Sequence, residues 1–148
     1  MARLNVVKEP DPLLRKISKS VIDFSPRLHE LLDDMTETMM HANRAVGIAA
    51  VQVGVLYRAA ILSTEQYGII EIINPTITSA ARNKVSAEGC ISCPGVWGEV
   101  KRPHLITVEF YDRKGEKHTT QLSGRDAVVA SHEIDHMDGI LFTDKIIN

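Results

Sequence analysis

Leu28, Leu31, Leu32, Met35 and Met39 recur at helical spacing, which predicts an amphipathic helix that lays one stripe on a core and ends near Asn43. Ser25 and Pro26 open it, as N-cap and first helical residue. The chain ahead of it, with Pro10, Pro12 and a polar run, reads as irregular. Ala45 to Gly54 is small, apolar and punctuated by glycine, a composition suited to the close approach of another backbone. The period then changes. Arg58 to Leu62 and Ile69 to Ile73 read as strands, with a break at Asn74-Pro75. Leu105 to Tyr111 and His118 to Leu122 alternate or are β-branched, and Asp112-Arg113-Lys114-Gly115 between them has the composition of a hairpin turn. A last helix spans about Arg125 to Met137, with Gly139 where a left-handed C-terminal cap falls. Ile140 to Ile147 has room for one more short strand. Strands grouped between two helices indicate an α+β fold rather than a parallel α/β sheet. With 148 residues and neither a repeat nor a long linker, residues 1–148 are expected to form a single domain.

Composition narrows the class without naming a chemistry. Hydrophobic residues make up 44% and charged residues 24%, ordinary values that predict a folded chain and exclude disorder. A formal net charge of −2 gives no electrostatic reason to expect nucleic acid or an anionic membrane as partner. No apolar stretch is long enough for a signal peptide or a membrane span, so a cytoplasmic location is the expectation.

The chemistry is concentrated in His132-Glu133-Ile134-Asp135-His136. Two imidazoles four residues apart on a helix share one face and can fix a metal ion, while the carboxylate next to the first can reach a metal-bound water. That pattern points to metal-assisted hydrolysis, with Glu133 moving protons rather than binding the ion. Its bland alternative is a helix end with solvated histidines.

Cys90 and Cys93 are the only cysteines, so there is no disulfide framework to read. A redox pair would be expected at a helix start, whereas Pro94 biases Cys93 towards an extended backbone. In an extended segment residues three apart point to opposite faces, so one of the two, and not both, is the expected metal ligand. Two buried thiols acting as small hydrophobes are the competing reading.

Taken together, three segments resemble the peptide deformylase family, which carries a glycine-alanine-rich Ala-Ala-x-Gln segment, a Glu-Gly-Cys-Leu-Ser segment and a His-Glu-x-Asp-His helix. They stand here in that order as Gly47-Ile48-Ala49-Ala50-Val51-Gln52, Glu88-Gly89-Cys90-Ile91-Ser92, and His132 to His136. The likeness implies antiparallel or mixed β-sheets around a central helix that bears the histidine motif. It implies Cys90, His132 and His136 as metal ligands, and Glu133 as the proton carrier. The side-chain amide of Gln52 and the backbone N–H of Ile91 would receive the oxyanion. It further implies one divalent ion, iron(II) in the cell, with zinc, nickel or cobalt able to replace it. The substrates implied are newly made polypeptides that begin with N-formylmethionine, cleaved to formate and a free amino terminus. Val46 and Gly89 would offer backbone groups to the extended substrate, Gly47 would keep the approach open, and Val128, one helical turn before His132, would form a pocket wall. Arg102 would pair with Glu88 and hold the Cys90 segment in place.

Some residues depart from the family pattern. Ala45 stands where glycine is common, Ser131 where glutamine often precedes the first histidine, Ile91 where leucine is usual, and Cys93 where an aliphatic residue is usual. Many bacterial members continue into a C-terminal helix associated with ribosome docking, whereas this sequence stops at Asn148, an expectation against strong ribosome contact. Two rivals stay open at this point. A zinc endopeptidase shares the histidine helix but lacks a cysteine ligand. An inactive or weakly active relative that only binds N-terminal peptides would keep the ligands and lose Glu133 or Gln52.

Overall fold

The computed structural model describes residues 2–42 and 45–147. Helix α1 spans Pro26–His41, and its apolar spacing is matched by its packing: Leu28, Leu32, Met35 and Met39 are buried, with Leu31 against the same cluster. Ser25 occupies the N-cap position, but its side chain makes no capping bond; its carbonyl accepts from Leu28 and His29 instead. The expected end near Asn43 lies outside the described residues. A short 3-10 turn, Pro12–Arg15, interrupts the irregular N-terminal segment.

Five strands follow: β1 (Gly47–Ala49), β2 (Ala59–Thr64), β3 (Gly68–Cys90), β4 (Cys93–Tyr111) and β5 (Lys117–Ser123). They form one antiparallel sheet in sequential order β1-β2-β3-β4-β5, so the mixed alternative falls away apart from an isolated parallel bridge between Lys19 and Tyr57. Helix α2 (Arg125–Met137) closes the fold. Alternation along β2 shows how the layers stack. Ala60 and Leu62 join the cluster that holds Ala127, Val129, Ala130, Ile134 and Met137 of α2, whereas Ala59 and Ile61 join the one built on α1. A strand with a helix on each face has no solvent side, which is why Ala59 to Leu62 reads as an unbroken apolar run.

Three expectations need correction. Asn74-Pro75 does not end a strand: the ladder slips there between Ile73 and Thr76, and β3 runs on to Cys90. Asn74 adopts φ 50°, and its side chain accepts from the Val21 N–H at 2.8 Å and donates to the Val21 carbonyl at 2.9 Å, turning a sequence break into a docking point for the segment before α1. The extension of β3 and its partner β4 escaped notice because this arm is largely exposed from Ser79 to Ala87 and therefore carries no apolar alternation. Residues 140–147 add no strand. Phe142–Lys145 is a 3-10 turn, and Ile146 makes a single bridge to Val100. Gly139, at φ 73°, takes the left-handed position just past α2.

The consequence for function is that β3 and β4 meet at a hairpin tip, Cys90 to Cys93, directed towards α2. Cys90 and Cys93 are opposite each other across the tip, so the chain reversal at Ile91-Ser92 overturns the expectation that their side chains face opposite ways.

Candidate active site

Helix α2 is buried nearly all round, and only Asp135 among Asp126 to Met137 keeps appreciable exposure. A polar helix in that position must find partners for its side chains. Asp126 accepts from the backbone N–H groups of Glu65 and Gln66 at 2.8 and 3.0 Å, and Ser131 donates to the Ala127 carbonyl. His132 Nδ1 donates to Glu88 Oε1 at 2.9 Å. Glu88 is in turn held by Arg102, with Nε at 2.6 Å and Nη2 at 3.1 Å, and the third arm of that buried guanidinium donates to Asp135 at 2.7 Å. The pairing expected of Arg102 and Glu88 is therefore present, and Asp135, one residue before His136, completes the clamp. Two atoms of α2 are left over among the described residues: Glu133 Oε1 and His136 Nδ1 are buried without a hydrogen-bond partner. Histidines solvated at a helix end are incompatible with this burial.

With Nδ1 committed to Glu88, the Nε2 side of His132 is turned towards the Cys90 thiol. One ligand atom each from Cys90, His132 and His136 lies within 4.8 Å of the others, and Cys90 Sγ is 3.4 Å from His136 Nε2. One thiolate and two imidazoles at these separations fit a single divalent cation. Cys93 is not in the group. It is buried with Leu14, Val100, Leu141 and Phe142, and burial, reinforced by Cys90, pushes its thiol up to about 11. That is the small-hydrophobe reading for Cys93 and the ligand geometry for Cys90.

The electrostatics follow from burial. Burial pushes the Glu133 carboxyl up to about 7 against the opposing pull of His132 and Arg102, and pushes His136 down to about 3. Burial also works against the charge of His132, but its contacts with Cys90 and Glu88 outweigh it and raise the imidazole to about 10. A proton on that ring and a metal ion would compete for one lone pair, so a cation held by this donor set would displace a proton.

The glycine-alanine segment supplies the opposite wall. Gly47 packs so closely on α2 that a Cβ there would lie 2.6 Å from Glu133 Oε2 and 3.0 Å from Val129 Cγ1, so the close neighbours are side chains and not the backbone that the composition suggests. Ala50–Val53 forms a 3-10 turn that buries Gln52. Gln52 Oε1 accepts from the Ala49 N–H at 2.9 Å, while Nε2 donates to Ser92 Oγ at 3.0 Å and lies 3.5 Å from Cys90 Sγ. Ile91 follows Cys90 in the turn of the hairpin tip. Gln52, Cys90 and Ile91 border one cleft of about 1050 Å³, whose lining also includes Val46, Gly47, Gly89, Val128, His132 and Glu133. His136 lies behind this lining, beside Cys90, and Cys93 stands apart among apolar side chains.

Ser92 and Trp97 were not singled out. Ser92 Oγ accepts from Gln52 and donates to the Val7 carbonyl at 2.7 Å, tying the N-terminal segment to the site. Its place within Glu-Gly-Cys-Ile-Ser was the available signal. For Trp97, whose indole lines the cleft beside Gly89, the sequence held no motif.

Comparison with known proteins places these features in a family context. The profile of the polypeptide deformylase family matches residues 3–148. A peptide deformylase of Acetivibrio thermocellus is 49% identical over 147 residues, covering 99% of this chain and 85% of the relative. One of Helicobacter pylori is 39% identical, covering 99% of this chain and 87% of its own. The crystal structure of peptide deformylase from Thermotoga maritima superposes with a TM-score of 0.95 at 34% identity, over the full length of both chains.

Proposed function

Because the chain belongs to the peptide deformylase family, we propose that the cleft carries out this family's hydrolysis through Cys90, His132, His136, Glu133, Gln52 and Ile91, with residues 1–148 acting as one catalytic domain. The enzyme is a metal-dependent hydrolase that removes the formyl group from the N-terminal formylmethionine of newly made polypeptides and releases formate. The observation that carries the assignment of residues is the setting of Glu133: a buried carboxylate with one oxygen unpartnered, beside a thiol and two imidazoles close enough to share an ion.

Cys90, His132 and His136 would hold the ion, iron(II) in the cell, with zinc, nickel or cobalt as replacements. A divalent cation bound there supplies Lewis acidity, polarising the formyl carbonyl and easing the loss of a proton from water. Glu133 accepts that proton and later delivers one to the departing amine. The Gln52 amide and the Ile91 N–H receive the negative charge that develops on the former carbonyl oxygen. Ser92 and the Ala49 N–H orient Gln52 for this role. The Glu88–Arg102–Asp135 clamp fixes the ring of His132.

The substrate backbone lies along the edge of β3 at Gly89. Strand β2 pairs with β3 only from Gly68 to Ile73, so among the described residues that edge has no strand neighbour. Val46 offers backbone groups on the facing wall, and Val128 lines the pocket for the methionine side chain. The cytoplasm, where newly made chains emerge, is the place of action.

The test is formate release from formyl-Met peptides by protein purified without air, with metal analysis on the same sample. Turnover with about one ion per chain is the expected result. Absence of turnover from fully loaded protein would overturn the activity. A second measurement tests the wall opposite Glu133. Gly47→Ala forces a methyl group against that carboxylate, and is expected to lower kcat by about 10²-fold through misplacement alone, at unchanged metal content. A variant with wild-type kcat would show that the contact yields at no cost.

A further inference from the structure

Trp97 is 66% exposed, yet its six-membered ring is placed by the backbone of the cleft. A Cβ built on Gly89 would lie 2.7 to 2.9 Å from Cζ3, Cη2 and Cε3 of the indole. The ring thus occupies the space that a side chain at position 89 would take, on one face of the free edge of β3. Both residues fall in the irregular stretch of the hairpin between the Glu88/Gly98 and Cys90/Cys93 pairs, and both line the large cleft. An indole with two-thirds of its surface in water at the wall of a cleft has apolar area still to bury.

We propose that Trp97 selects among substrates by stacking on an apolar or aromatic side chain at one of the first two residues after the methionine. The inference rests on the peptide lying along Gly89, as in the activity assigned above. Side chains of an extended chain alternate between the two faces of a sheet edge, and those on one face meet the cross-strand side chains of the same face. Gly89 has no side chain to offer, so the contact on that face falls to Trp97. Removing the glycine would exclude the ring, and removing the ring would leave bare backbone. Binding energy there goes to residues that do not react, and is read in KM.

The experiment compares formyl-Met-Phe-Ala, formyl-Met-Ala-Phe and formyl-Met-Ala-Ala as substrates of the wild-type protein, Trp97→Ala and Trp97→Phe. Wild type is expected to prefer one phenylalanine peptide over the alanine peptide by about tenfold in kcat/KM, mainly through KM. Trp97→Ala should bring that ratio close to one, and Trp97→Phe should keep most of it. The same ratio in wild type and Trp97→Ala would overturn the proposal. Trp97 is also the sole tryptophan of the chain, so its emission reports on this position directly. Titrating Glu133→Gln with the preferred peptide should shift that emission to the blue as the indole loses water. An unmoved spectrum at saturating peptide would overturn the role of Trp97. This optical reading needs no turnover, so a failure of the deformylase activity and a failure of the Trp97 contact are told apart.

Discussion

Replacing Glu133 by glutamine is expected to lower kcat for formate release by about 10²–10⁴-fold, the range that a positioned proton carrier supplies, while the metal-to-protein ratio stays that of the wild type. The amide has nearly the size of the carboxylate but cannot accept the proton from water, so the change removes one function and little volume. Stability should not suffer. Glu133 Oε1 is buried without a partner, and an unpaired buried carboxylate costs the fold more free energy than a neutral amide in the same place. The melting temperature of Glu133→Gln is therefore expected to equal or exceed that of the wild type, a trade of stability for activity found at many functional sites. Activity within tenfold of the wild type would remove Glu133 from the proton path.

The second large effect separates the two cysteines. Cys90→Ala deletes one of the three proposed ligands, and is expected to weaken metal binding by more than about 10²-fold, since loss of an outer partner of a ligand already costs up to that much. Formate release should fall with it. Cys93→Ala removes a buried sulfur from the cluster of Leu14, Val100, Leu141 and Phe142, so it should cost about 1 kcal/mol of stability and leave one ion per chain. Equilibrium dialysis followed by metal analysis reads both variants. Equal losses of metal would mean that the cysteines share the ion.

The site was more legible in the sequence than the fold was. Histidines four apart, a carboxylate between them and a cysteine in a separate segment are what the chemistry of one ion would ask for, whatever strands carry them, and the structure draws the three ligating side chains close together. Helix α1 and the hairpin around Asp112 to Gly115 were legible because one face is buried and the turn has its own composition. The arm of β3 from Ser79 to Ala87 was not, because it is largely exposed and alternates with no period, and the stretch of β4 paired with it gives only Val100 and Ile106 to an apolar core. Asn74 shows another limit: a residue type that ends strands elsewhere here bulges the ladder and binds Val21. The orientation of Cys90 towards Cys93 depended on knowing that the chain turns back within two residues, which local spacing does not reveal.

The link from Ser92 to the Val7 carbonyl, together with the bond from the Val7 N–H to the Gln52 carbonyl at 2.7 Å, has a consequence for how the site comes into being. Val7, Gln52, the Cys90 to Ser92 tip and His136 belong to four stretches that are distant in sequence, joined by contacts spanning 38 to 85 positions. Contacts of that range close late, because loop closure must be offset before any of them is rewarded. The ligand set is therefore complete only when the last helix has packed. A metal held by the proposed ligands would thus act as a seal on finished folding, adding its binding free energy to the native state.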